Sequence, residues 1–128
     1  MSRTVFARVF ALLGLAAGPL FATVAAADTL VVYSARNEQL IKPIFDAYTK
    51  ETGVEIKFTT GDAAVLIERL AAEGRNSPAD ILMTVDAGEL WHATERGLLR
   101  PVHSRTLLRN IPSHLRDPQH HWFGFSQR

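Results

Sequence analysis

The chain contains no cysteine. No disulfide can brace it, so its stability has to come from a packed core. It also lacks any block of like charge and any low-complexity tract. Those features mark nucleic-acid surfaces and disordered tails, and no nucleic-acid partner is expected. The G-x-S-x-G elbow, the P-loop and the G-x-G-x-x-G turn are missing as well. Their absence removes the usual signatures of serine hydrolases, nucleotide-binding enzymes and dinucleotide-binding enzymes.

What is present begins with a leader. Arg3 and Arg8 precede an uncharged stretch from Val9 to Val24, and Ala25-Ala26-Ala27 follows. A positive start, a short apolar region and small residues together read as a secretory signal, residues 1–27, cleaved after Ala27. The competing reading is an uncleaved anchor, because the run to Ala27 is nearly long enough to cross a bilayer. Gly14, Gly18 and Pro19 interrupt that run and favour export to the periplasm. Removing the leader takes away two arginines and no acids. The formal charge then moves from +1 to −1, with 12 basic and 13 acidic side chains left. About 101 residues remain, enough for one small domain.

Residues 28–128 read as strand–helix units. Leu30 to Tyr33 is the first strand, and Leu40, Ile41, Ile44, Phe45 and Tyr48 lie on one helical face. Pro43 predicts a late helix start that leaves it in or near the first turn, and Gly53 is the stop. Val54 to Thr59 alternates apolar and polar residues, as an edge strand with one wet face does. Asp62 is the predicted N-cap of a helix over Ala63 to Glu73 that packs Leu66, Ile67 and Leu70 and stops at Gly74. Asp80 to Val85 reads as a central strand, Asp86 to Arg96 as the third helix. Beyond Gly97 the pattern loosens around Pro101, Pro112 and Pro118, with a short helix near Ser104 to Arg109 and an aromatic strand candidate at Trp122 to Ser126.

Such alternation predicts an α/β fold, a three-layer lobe with a mostly parallel sheet and right-handed crossovers. Strand ends then share one edge of the sheet, where open α/β sheets bind ligands. This places Ser34 to Asn37, Thr60 to Asp62 and Val85 to Ala87 around one rim. Asp86, Arg36, Asn37 and Gly61 are cleft candidates on that argument; a helix N-cap, a solvated arginine and ordinary turn residues are the equally weighted alternatives. His114, His120 and His121 match no zinc spacing, and with His92 and His103 they read as surface residues.

Three stretches carry a family resemblance: VVYSARNEQLIKPIFDAYTKETGVEI, then NSPADILMTVD, then IPSHLRDPQHHWFGFSQR. Together they resemble the periplasmic ferric-iron-binding proteins of ABC transporters, within the wider group of extracellular solute-binding proteins. The resemblance implies two α/β lobes that close over Fe3+, with tyrosine phenolates and carbonate or another anion around the metal. It also implies delivery to an inner-membrane ABC permease, a monomer, and no bond chemistry. The chain then corresponds to the N-terminal lobe of a truncated protein, with the C-terminal lobe and its tyrosine pair missing. Tyr33 and Tyr48 are the only tyrosines, and both read as structural. Ser34, Arg36, Asn37, Gly61, Asp86 and Arg128 are the implied ligand- or anion-binding residues. Arg128 matches an anion-holding arginine, Asn37 stands where relatives offer a stronger ligand, and Asp86 is the single metal-ligand candidate. Two alternatives stay open: a solute-binding lobe for another small ligand, and a receiver-like flavodoxin-fold domain with an acidic site from Asp46, Asp80 and Asp86.

Overall fold

The computed structural model describes residues 28–125. The predicted leader, Ser126 and Arg128 lie outside the described residues. Strand β1 (Thr29–Ser34) is followed by helix α1 (Glu38–Thr52), strand β2 (Glu55–Thr60) and helix α2 (Ala63–Glu73). A single 3-10 turn at Gly74–Asn76 leads to strand β3 (Ile81–Met83), then helices α3 (Ala87–Glu95) and α4 (Arg105–Asn110).

All pairings in the described sheet are parallel, in the order β2-β1-β3. Strand β1 is therefore central. Its period-2 alternation sends successive side chains to opposite faces. Val32 packs with Ile41 and Phe45 of α1, joined by Ile56, Phe58 and Met83. Tyr33 packs on the other face with Leu66 and Leu70 of α2, joined by Val31, Ala79, Leu82 and Leu98. Helices thus cover both faces of one sheet, the three-layer α/β lobe expected from the strand–helix alternation.

Several expectations need correction. Strand β3 is three residues long and bonds only β1 among the described residues, so it is an edge there rather than the centre. Ile81, 43% exposed, reflects that open side. Helix α1 starts at Glu38, which puts Pro43 in its second turn instead of the first. Asn37 makes the early start workable: its Oδ1 accepts the Gln39 N–H at 2.9 Å and caps the helix. The predicted apolar face of α1 is only partly buried. Ile41 and Phe45 are inside, whereas Leu40 and Ile44 are 64% and 66% exposed and Tyr48 lies with them on the exposed side. A single sheet face accepts one narrow stripe of a helix, and the wider apolar arc turns out to water. Trp122 to Ser126 does not form a strand within its described part; Phe123 makes one isolated antiparallel bridge to Arg116.

The segment after α4 is held by Asp117. Its Oδ2 accepts the His121 side-chain Nδ1 at 2.7 Å, the His121 N–H at 3.0 Å and the Gln119 N–H at 3.2 Å. Burial pushes the Asp117 carboxyl up, but the bonds from His121 outweigh it and hold the group below its usual 3.8. A lowered folded-state pKa stabilises the fold above the unfolded value and is lost as pH falls through the folded one. Amide protection at Gln119 and His121 should therefore persist at neutral pH and collapse below about pH 3.8. Asp117→Ala should remove it at all pH values and cost about 1–3 kcal/mol; hydrogen exchange and urea unfolding read both.

Candidate functional site

The carboxyl ends of the three parallel strands meet on one edge of the sheet. Ser34 pairs in register with Thr60 on one side and Met83 on the other. Beyond those pairs the chain stays tied together: the Ala35 N–H donates to the Met83 carbonyl at 2.8 Å, and the Gly61 N–H to the Ser34 carbonyl at 3.1 Å. The three following loops therefore form a single rim, and each leads directly into a helix.

The helix starts share one design. Asn37, Asp62 and Asp86 are the N-caps of α1, α2 and α3, and their side-chain oxygens accept backbone N–H groups of Gln39, Ala64 and Glu89. Three helix N-termini at one rim concentrate partial positive charge and unpaired N–H donors, which favours an anion. The capping oxygens are already engaged, so they are weakened as metal donors. Asp86 is exposed, its Oδ1 3.1 Å from the Glu89 nitrogen, and the Thr84 hydroxyl donates to its carbonyl at 2.7 Å.

The other rim residues are placed as follows. Ser34 is fully buried, and its Oγ accepts the Arg36 N–H at 3.1 Å, closing the turn into α1. Arg36 is half-buried in that turn, and no ion pair among the described residues engages it. Gly61 is exposed, and a Cβ there would make ordinary contact with Leu66 at 3.6 Å, so nothing local demands glycine. The rim thus brings Ser34, Arg36, Asn37, Gly61 and Asp86 together, while Arg128 lies outside the described residues. No group of three metal-ligating side chains occurs among the described residues.

Tyr33 sits one residue before the rim but points inward. It is 1% exposed, and its hydroxyl donates to Glu73 Oε1 at 2.8 Å, with Oε2 at 3.0 Å. The Arg69 guanidinium lies 4.7 Å over its ring and also bonds Glu73 Oε1 at 2.8 Å. Burial and the Glu73 bond push the phenol above its usual 10.0. Enclosed in the core with its hydroxyl engaged by Glu73, Tyr33 is not presented to a ligand at the rim, in line with its structural reading. The Tyr33–Glu73 partnership spans 40 residues, and no local sequence signal announces it.

An acidic cluster from Asp46, Asp80 and Asp86 does not form. Asp46 is on α1 in an ion pair with Lys42. Asp80 precedes β3, with its Oδ2 accepting the Val31 N–H at 2.9 Å, whereas Asp86 follows β3 at the opposite edge. A cavity of about 300 Å³ is likewise away from the rim. It flanks β3 and is lined by Leu70, Ile81, Leu82, Leu98, Trp122 and Phe123 among others. Among the described residues, the buried Trp122 Nε1–H finds no acceptor.

Comparison with known proteins adds four findings. Residues 30–113 match the family model of bacterial extracellular solute-binding protein. The chain is 43% identical over 97 residues to Iron uptake protein A1 of Synechocystis sp., covering 76% of this chain and 27% of that protein. Among solved structures, the Trichodesmium protein in complex with iron and citrate ligands is similar at 47% identity and a TM-score of 0.74, covering 77% of this chain and 31% of that one. The ferric binding protein from Campylobacter jejuni follows at 44% identity and a TM-score of 0.72, covering 73% and 30%. The chain spans under a third of the length of these relatives.

Proposed function

From the premise that this chain belongs to the bacterial extracellular solute-binding protein family, we propose that it contributes the N-terminal lobe of a periplasmic binding protein for ferric iron. In this reading residues 28–128 form the lobe and residues 1–27 direct export. The complete protein encloses Fe3+ with an accompanying anion between two lobes and hands it to an inner-membrane permease, without bond chemistry. The observation that carries it is the rim: three helix N-termini meet at one edge, and Arg36 lies in the first of its loops, a setting suited to an iron-bound anion. The names of the relatives supply the iron.

In the same proposal Arg36, the N-termini of α1 to α3 and Arg128 hold the anion, Asp86 is the lobe's oxygen donor to iron, and Ser34 and Gly61 shape the rim. Among the described residues, the open side of β3, its apolar cavity and the Trp122 Nε1–H without an acceptor fit a lobe that further polypeptide covers. The receiver-like reading is dropped, because its acidic site is dispersed and the family is a binding-protein family.

The test is uptake of radiolabelled iron offered as ferric citrate to iron-starved cells. Deleting the gene should lower uptake several-fold, and restoring it with Arg36→Ala should recover only part. Unchanged iron uptake, with loss of another small anion from the same medium, would replace iron by that solute and leave the rim argument standing.

A further inference from the structure

His103 and His120 are far apart in sequence but adjacent in the fold. The Val102 N–H donates to the His120 carbonyl at 2.9 Å, and the His120 N–H to the Asp117 carbonyl at 2.9 Å. This tie brings the two imidazoles together with their Nδ1 atoms 3.4 Å apart and ring planes at 85°. His120 adopts φ 66, a left-handed conformation unusual for a residue other than glycine, and Phe123 stacks on its ring with centroids 6.3 Å apart. His103 is exposed and His120 half-exposed, so the pair lies at the surface.

Two imidazole nitrogens this close either share one N–H···N bond or bind one ion between them. Zinc–imidazole bonds are about 2.1 Å long. An ion at that distance from both nitrogens of this pair subtends about 108° at the metal, close to the tetrahedral angle that Zn2+ takes. Imidazole is a donor for Zn2+, Cu2+ and Ni2+ rather than for the hard cations that prefer oxygen. The pair lies within residues 102–123, not in the three rim loops, and a different class of metal suits it.

We propose that His103 and His120 form a two-histidine site for a divalent transition metal, with Zn2+ as its simplest occupant. The described residues supply no group of three ligating side chains, so water or an exogenous donor completes the shell. The site is therefore open and exchangeable, with affinity well short of a closed structural zinc site.

The purified chain, titrated with ZnCl2 near neutral pH by calorimetry, should take up one ion. His103→Ala and His120→Asn should each weaken Kd at least about tenfold, and His114→Ala should leave it unchanged. Asparagine tolerates the left-handed backbone, so His120→Asn keeps the turn. On the unsubstituted chain, imidazole NMR signals of His103 and His120 should shift first as Zn2+ is added. First movement at His121, His92 or His114 overturns the proposal, as does wild-type affinity in both variants. So does the lack of any Zn2+ binding below about 1 mM.

Discussion

Tyr33→Ala is expected to destabilise the lobe by about 3–5 kcal/mol. In a domain of this size that is a large part of the total stability. The side chain is among the largest fully buried ones, and it fills the space between β1 and α2 against Leu66 and Leu70. Truncation leaves a cavity under α2 and strips the Glu73 carboxylate of one donor. Tyr33→Phe separates those effects: packing is kept and the loss should be about 1.5–3 kcal/mol, the usual value of one hydrogen bond to a charged group. Urea unfolding followed by far-UV signal reads both. Equal losses in the two variants would mean that the hydroxyl, not the ring, holds α2 to the sheet. A loss below about 1 kcal/mol for Tyr33→Ala would contradict the burial of the ring.

The second large effect is the absence of a spectroscopic band. Ferric citrate added to the purified chain should give no tyrosinate-to-iron charge-transfer band. Tyr33 is enclosed, with its phenol pushed up by burial and by Glu73, and Tyr48 stands alone on the exposed side of α1. No second phenol is near enough to join either one. Iron binding by these residues alone should be weak and show no tyrosinate band, limited to Asp86 and any anion at the rim. A visible band that disappears in Tyr48→Phe would refute this and make Tyr48 a ligand. A band that disappears in Tyr33→Phe would mean that α2 opens to expose the core.

The two effects belong together. The tyrosine nearest the rim, Tyr33, is spent on the core. In the proposed complete protein the phenolate donors then come from outside residues 28–125, while this lobe offers Asp86, helix N-termini and a guanidinium.

Local order was legible from residue types. Gly53 and Gly74 end α1 and α2 as expected, Asp62 caps α2, and the polar stretches after β1, β2 and β3 form one rim. Those features depend on neighbours within a few positions, where backbone preference and apolar periodicity act directly. The exposure of Leu40, Ile44 and Tyr48 was not legible. Periodicity marks an apolar arc on a helix, but how much of the arc is covered depends on what the rest of the fold lays against it. The early start of α1 was missed for a related reason: Pro43 weakens a helix interior, and the Asn37 cap and the burial of Ile41 and Phe45 support it nonetheless.

By itself, then, the sequence determined the α/β alternation, the helix stops and the polar rim, because each follows from short-range chemistry. Tertiary structure alone decided that β1 is central, that Tyr33 is locked to Glu73, and that His103 meets His120. These are contacts between residues 17 to 49 positions apart, and only chain closure around a shared core brings such residues within bonding distance.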